Sequence, residues 1–365
     1  MATNAAAASS TPQPRTPPPQ KGSNAKLQEA ISGWGFILPA FVILFVFLIL
    51  PLFVAGYFSL TDWNGRTPLT NPDAYELIGL ENYERLLVSG RRVDDFYNAL
   101  KNTLYYAAGV IPTQTAIALV LAVIVNQRWL KGRGFFRTAF YFPSITSSIV
   151  VSMIFLFLFS NTGPVNDALR AVVPGYQDVS WLTDNSGVIH NLLGVFGITE
   201  ASAPALADTE LFRISLWDWL SGPSVAMFTI MLLAIWTTIG TMMVVYLAAL
   251  QNIPGHVYEA AAVDGANQWQ VFRKITLPLL RPTTFFVVTL GLIGTFQVFD
   301  QIYILQTNVT RASTMSVAYL VYDSAFETDP NMGRASAVAV TLFVIIFAAT
   351  ILQRRFVGGD RPADE

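Results

Sequence analysis

The chain contains no cysteine and only two histidines, His190 and His256, in 365 residues. Disulfides, thiolate metal sites and catalytic thiols are therefore excluded. Two histidines so far apart give no support to a histidine metal centre or a Ser-His triad. Charge is also scarce: 13% of residues are Asp, Glu, Lys or Arg, where soluble domains carry about 25%. The net charge of −2 holds no global basic signal for nucleic acid. No stretch has the form G-x-x-x-x-G-K-[ST], so the chain does not bind ATP through that phosphate loop.

What is abundant is apolar sequence, 53% of the residues, which reads as a polytopic membrane protein. A bilayer core needs about 20 apolar residues as helix. Six runs meet that length, at 33–59, 102–126, 136–159, 223–250, 279–304 and 335–353. Backbone polar groups in lipid must be satisfied within the segment, so each run is read as a helix. Pro39, Pro51, Pro112, Pro143 and Pro282 are tolerated as kinks in a membrane bundle. The Ala/Ser/Pro-rich residues 1–26 lack periodicity and read as a disordered tail. The first apolar run is too long for a signal peptide and has no small-residue cleavage site after a short core. The expected fold is thus all-α, with a transmembrane domain over 27–358 and a tail at 359–365.

Six spans place both termini on one side, and Lys and Arg assign it. That side holds Arg15, Lys21 and Lys26, then Arg128, Lys131, Arg133 and Arg137 between spans two and three. Arg273, Lys274 and Arg281 lie between spans four and five, and Arg354, Arg355 and Arg361 follow span six. The count is thirteen against eight on the other side, with Lys101 at a boundary. Both termini are expected in the cytoplasm and the loops 60–101, 160–222 and 305–334 outside.

The cytoplasmic loop 251–278 contains EAAAVDGANQWQVFRKITLP, which reads as two short helices on a glycine hinge. Pro254 suits a first helical position, Val257 to Ala262 propagates the helix, and Asp264-Gly265 ends it. Asn267 is placed to cap a second helix over Gln268 to Ile275. Trp269, Phe272 and Ile275 fall on one face of it, and Pro278 is expected to stop it. Such an elbow presents aromatic surface beside basic residues, as protein-binding knobs do. The alternative is an amphipathic linker lying on the headgroups.

These residues resemble the EAA motif of permease subunits from binding-protein-dependent ABC importers. Glu259-Ala260-Ala261, Gly265, Ile275 and Leu277-Pro278 match every element and both gaps, and Asp264 fits the sugar-importer version. GLENYERLL at 79–87, FFRTAFYFP at 135–143, AALQNIP at 248–254, FQVFDQIYIL at 296–305 and VYDSAF at 321–326 extend the resemblance over 33–355. The first span is similar to the maltose or glycerol-3-phosphate type of permease with larger outer regions. Two features depart from the pattern: QTNVTRAST stands where the family often has Thr-Gly-Gly-Pro, and the outer loop is lengthened near 183–215.

The resemblance implies a non-catalytic transmembrane subunit in the bacterial or archaeal cytoplasmic membrane. Its elbow would be a coupling helix seated on a separate P-loop ATPase, present in two copies. A second homologous permease, an external solute-binding protein and a sugar complete the expected partners. ATP and Mg would be bound by the ATPase, and no cofactor by this chain. Glu259 would either pair with a basic groove residue or supply helix polarity. Polar residues within spans tend to face the bundle interior. By position in the motif frame, the substrate path is expected at Trp236, Thr237, Thr238, Thr241, Thr295 and Gln297. Gln114, Ser144, Ser147, Ser148 and Asp300 are further polar candidates, while span Ser and Thr also commonly serve as helix glue. The outer segment 75–99 either docks a binding protein or lies on the membrane.

Three rivals remain at this level. A glycerol-3-phosphate importer would want cations in spans four or five, and none lies well inside them. A membrane transferase would want clustered acids and histidines, yet Asp94, Asp95 and Asp218 are scattered. A secondary transporter would want inverted repeats and intramembrane ion ligands.

Overall fold

Two stretches share the form Phe, four residues, Leu-Pro: FVFLILP at 45–51 and FRKITLP at 272–278. In the computed structural model both widen into a π turn, Phe45–Ile49 and Phe272–Thr276. The N–H of Leu50 reaches back to the Phe45 carbonyl, and that of Leu277 to Phe272. A proline ring clashes with the carbonyl four residues earlier and donates no bond. Widening the turn just before it lets the helix continue through the proline. Pro278 therefore does not stop its helix, contrary to the sequence expectation, and the turn falls later.

The structure describes residues 23–90, 92–127, 129–327 and 329–357. Most of the tail expected at 1–26, the tail at 359–365, and Arg91 and Arg128 lie outside them. Ser23–Lys26, expected as tail, already belong to a helix, Ser23–Leu44; past the prolines of the tail these residues are adequate helix formers. The chain divides into units 1–54 and 55–365. Among the described residues, four helices are long and apolar enough to cross a membrane: α1 (Ile31–Phe58), α2 (Val93–Asn126), α5 (Val225–Gln251) and α11 (whose apolar part is Met332–Arg355).

The third and fifth runs form helix pairs bent at a short break. The third is α3 (Arg133–Ile145) and α4 (Ser148–Leu158), bent by 95°. Thr146 and Ser147 between them are extended. The sequence Ser-Ile-Thr-Ser-Ser behind Pro143 supplies hydroxyls that compete with the helix ladder; Thr146 Oγ1 donates to the Phe142 carbonyl at 3.0 Å. After α6 (Gly255–Val263), α7 (Gln268–Leu279) leads into the fifth run and is bent by 65° from α8 (Arg281–Phe296). It breaks again at 297–299 before α9 (Asp300–Leu305). A continuous helix over 279–304 is thus corrected. Irregular backbone at membrane depth persists only where protein or a water-lined cavity receives it.

Two clusters form the core. Toward one end Phe96 on α2, Met227 on α5, Ile302 on α9, and Leu320 on α10 (Val317–Phe326) pack together. Toward the other, Ala122 and Val125 meet Tyr246, Leu250, Leu280 and Val287. α2 starts nine residues before the expected 102 and buries one stripe through Phe96, Thr103, Val110, Gln114 and Ala118, the spacing of one helix face. Leu86 and Phe96, in the outer segment expected to dock a binding protein or lie on the membrane, are core residues at 2% exposure.

The outer departures are ordered. Asn102 Nδ2 donates to the Ala312 and Met315 carbonyls at 2.9 and 3.0 Å, and the Thr307 and Thr310 hydroxyls lie 3.0 Å apart. In the lengthened loop, Glu210–Leu211 pairs with Ile214–Ser215. Phe212 and Arg213 form the tip at φ 52° and 60°, a costly region for L residues. Phe212 stacks on Tyr97 at 5.6 Å and Arg213 Nε bonds Asp94 at 2.9 Å, which holds the tip on the start of α2.

Candidate functional site

The EAA stretch folds by local rules. Pro254 is the N-cap of α6, one position earlier than expected; its extended backbone lets its carbonyl accept from the Val257 N–H at 3.2 Å. At the far end Asp264 is the C-cap and Gly265 takes φ 74°. The Gly265 N–H bonds the Ala262 carbonyl at 3.1 Å and the Ala266 N–H bonds Ala261 at 2.9 Å. That pair of bonds is a Schellman motif, which needs a left-handed residue where Gly265 stands. Asn267 Oδ1 accepts from the Gln270 N–H and Gln270 Oε1 accepts from the Asn267 N–H, both at 2.9 Å, a capping box that starts α7.

The elbow is rigid and open. The Tyr258 and Thr276 hydroxyls lie 3.4 Å apart across it, and Ala261 is buried beneath it. Glu259, Ala260, Asp264 and Gly265 are exposed, Ile275 and Pro278 half-buried, and Leu277 partly open. Val263 is 88% and Trp269 65% exposed, with Trp269 held against Phe272 at 5.7 Å. Glu259 has no ion pair among the described residues. Two large apolar side chains held out on capped helix ends form a surface that another protein can cover.

The second feature is a cleft of about 290 Å³ lined by α2, α5, α8 and α9. Three of the six expected path residues line it: Thr238, Thr295 and Gln297. Trp236, Thr237 and Thr241 do not. Successive helix residues rotate by 100°, so α5 presents Ala234, Thr238 and Met242 to the cleft. Trp236 instead packs on Phe155 at 5.8 Å. Thr237 donates to its own Leu233 carbonyl at 3.0 Å. The Thr241 amide meets Ser144 Oγ at 3.2 Å, where Gly240 lets α5 and α3 backbones touch.

Within the cleft Gln114 is the buried anchor, at 1% exposure. Its Oε1 accepts from Thr238 Oγ1 at 2.6 Å. A Cβ on Gly291 would fall 2.6 Å from Gln114 Nε2, so glycine makes room for the amide. Thr295 donates to the Leu292 carbonyl at 3.1 Å, which leaves it as an acceptor. The side chains of Gln297 and Gln301 have no hydrogen bond among the described residues. Tyr106 and Phe299 contribute aromatic surface, Asp300 stands in the lining, and no Lys or Arg does. Sequence reasoning missed Gln301 and Tyr106; Gln301 sits four residues beyond Gln297 and directly after Asp300.

A buried charge cluster was also missed. Asp323 on α10, with its side chain 3% exposed, receives both Arg92 and Arg311. Glu327 joins Arg311 at 3.1 Å and accepts from the Tyr319 hydroxyl at 3.1 Å. Burial, and then the Glu327 carboxylate, push the Tyr319 hydroxyl up to about 12. The one sequence sign was an acid in the apolar run VAYLVYDSAF.

The family model described as "Binding-protein-dependent transport system inner membrane component" matches residues 114–359. The probable ABC transporter permease protein YurN of Bacillus subtilis is 30% identical over 331 residues, 90% of this chain and 97% of that protein. The lactose transport system permease protein LacF of Rhizobium radiobacter is 28% identical over 333 residues, 91% and 95% of the two chains. The crystal structure of a bacterial ABC transporter involved in the import of the acidic polysaccharide alginate shares the fold. Its TM-score is 0.68 at 21% identity, over 92% of this chain and 98% of that one.

Proposed function

The chain belongs to the family of binding-protein-dependent transport system inner membrane components, and from that premise we propose that it forms half of the translocation path for a sugar. It is a multi-pass membrane permease subunit of an ABC importer, without catalysis of its own. The observation that carries the sugar reading is the cleft. Gln114, Thr238, Gln297 and Gln301 offer amide and hydroxyl groups beside the Tyr106 and Phe299 rings, with no cation in the lining. Neutral polyols are bound by such groups, whereas a phosphate wants a guanidinium or ammonium. A glycerol-3-phosphate importer is accordingly disfavoured. Relatives named for lactose, multiple sugars and arabinooligosaccharides support the same class.

The elbow at Glu259–Pro278 is the proposed ATPase contact. Val263 and Trp269 would seat in a groove of a P-loop ATPase, two copies of which would bind the ATP and Mg. Closure of the ATPases would draw the elbows together and switch the bundle, and the doubly capped hinge transmits displacement where a loose linker would absorb it. A second permease would supply the other half of the path. An external solute-binding protein would deliver the sugar, a reading supported by the similar transporter solved in complex with an alginate pentasaccharide-bound periplasmic protein. The distribution of Lys and Arg supports a cytoplasmic elbow and cytoplasmic termini.

The test is purification from the native membrane in mild detergent, beside Gly265→Pro. A P-loop ATPase and a second multi-span protein co-purifying with the native chain, and loss of the ATPase from the variant, are expected. The solute on a co-purified binding protein then names the sugar. Native chain without any ATPase overturns the coupling role, and a phosphorylated or cationic solute overturns the sugar class.

A further inference from the structure

We propose that a series of aromatic rings on α9 and α10 continues the cleft as a track for a sugar chain, so that the transported solute is an oligosaccharide and not a single sugar ring. The proposal rests on the reading of the cleft as a sugar path. The rings recur at helical spacing. Phe299 and Tyr303 stand four residues apart at α9, and Tyr319, Tyr322 and Phe326 follow at steps of three and four on α10, which puts each set on one face. The two sets meet. Phe299 packs on Tyr303, Tyr319 and Tyr322 with centroids 5.5, 6.0 and 5.2 Å apart. Tyr303 meets Tyr322 at 5.4 Å, and Tyr322 meets Phe326 at 5.3 Å. Phe299 itself lines the cleft. The series therefore starts in the cleft wall and leads out to Phe326, which is 61% exposed. It runs at the end away from the elbow, since Tyr319, Ile302 and Leu305 belong to the core cluster that does not hold Leu250 and Leu280.

The buried charge cluster gives this series a fixed base. Tyr319 is the underside, buried, with its hydroxyl donating to Glu327 at 3.1 Å. The Arg311 guanidinium lies over its ring at 5.9 Å, a cation–π distance, and Arg311 is itself held by Asp323 and Glu327. The rings above it are open: Tyr303 is 46% exposed and Tyr322 half-buried. Rings locked from below lose little freedom when a ligand covers them. The occupant is decided by continuity with the cleft. The aromatic belt of a membrane interface anchors a bundle in the headgroups, and it has no need to converge on a polar cavity. These rings do converge there, beside the Gln297 and Gln301 amides. Sugar rings carry C–H faces that stack on aromatic faces and hydroxyls that bond amides, and both kinds of group follow one another along this wall. A single sugar held at Gln114 and Thr238 would leave the outer rings without use, whereas a chain covers them in succession.

The chain has no cysteine, so an introduced one reports on a chosen position. The experiment uses the intact transporter with its binding protein in nanodiscs, carrying Gln297→Cys in the cleft or Tyr303→Cys on the track. A charged, water-soluble maleimide labels each. The sugars are arabinotriose and maltotriose, beside arabinose and glucose. Both positions are expected to label, and a trisaccharide to slow labelling at both, while its monosaccharide leaves Tyr303→Cys unprotected. Adding Phe326→Ala should raise the trisaccharide concentration that half-protects Gln297→Cys about 2- to 10-fold, the worth of one aromatic contact. Phe326→Tyr keeps the ring and should restore it. Phe326 is exposed, so these variants test the track without disturbing the core. Labelling of Tyr303→Cys only by the lipid-soluble N-ethylmaleimide overturns the proposal, since the rings then face lipid. Labelling by neither reagent also overturns it and marks a surface covered by the second permease. Equal protection of Tyr303→Cys by the monosaccharide overturns the chain reading, and protection of Gln297→Cys alone ends the path at Phe299. Protection at neither position by any of the four sugars fails the sugar reading itself, and the track with it.

Discussion

Gly265 isolates the physics of the elbow. Its φ is 74°, and a Cβ built on it meets nothing within 4 Å. Gly265→Ala therefore introduces no clash and loses no contact; its whole cost is the left-handed backbone, about 1–2 kcal/mol for an L residue. That is about a 5- to 30-fold loss in the population of the capped elbow. Asn enters this region more readily than Ala, so Gly265→Asn should cost less. Gly265→Pro fixes φ near −65° and should abolish the cap. The expected order of substrate-stimulated ATPase activity in the reconstituted transporter is Gly, Asn, Ala, Pro. The bundle should be untouched, with unfolding temperatures of the Asn and Ala variants close to that of the native chain. An Ala variant as active as the native chain, or an Asn variant no better than Ala, would refute the backbone argument.

Trp269→Ala should release the ATPase on co-purification without lowering thermal stability, because the ring is exposed in the isolated chain; unchanged ATPase retention counts against the knob. Gln297→Ala should raise the KM for uptake, while Thr237→Val, outside the cleft, should leave it unchanged; the reverse pattern would refute the cleft as the path. Thr238→Val leaves the Gln114 carbonyl oxygen without its 2.6 Å donor and should cost about 1–3 kcal/mol, seen as a lower unfolding temperature. Asp323→Ala removes the buried carboxylate that Arg92 and Arg311 share and should cost about 3–5 kcal/mol, with Asp323→Asn milder; an unchanged unfolding temperature for both would show that the cluster is not structural.

Much of this was legible from residues alone. The elbow needed only nearest-neighbour rules: Gly265 at the left-handed cap, Asn267 three residues before Gln270, and apolar Trp269 one turn from Phe272. All of it is settled within about four residues along the chain. The six apolar runs were legible for a similar reason, since bilayer thickness converts directly into residue count. Sequence erred by a residue or a turn where prolines act through wider geometry, at Pro254 and at Pro278, and it missed the break after Phe296, which no proline marks.

The cleft and the charge cluster were decided by tertiary packing. Thr237 and Thr238 are neighbours in sequence, and only the rotation of α5 against α2 makes one a cleft residue and the other a bond to its own helix. Gln114 and Thr238 are 124 residues apart, as Arg92 and Asp323 are 231 apart. No local periodicity couples positions so distant. The sequence by itself determined which runs are apolar and long enough to span a bilayer and which loop is capped into an elbow. Which polar side chains meet depended on the crossing and rotation of packed helices, and those follow from the fit of whole surfaces that no single segment contains.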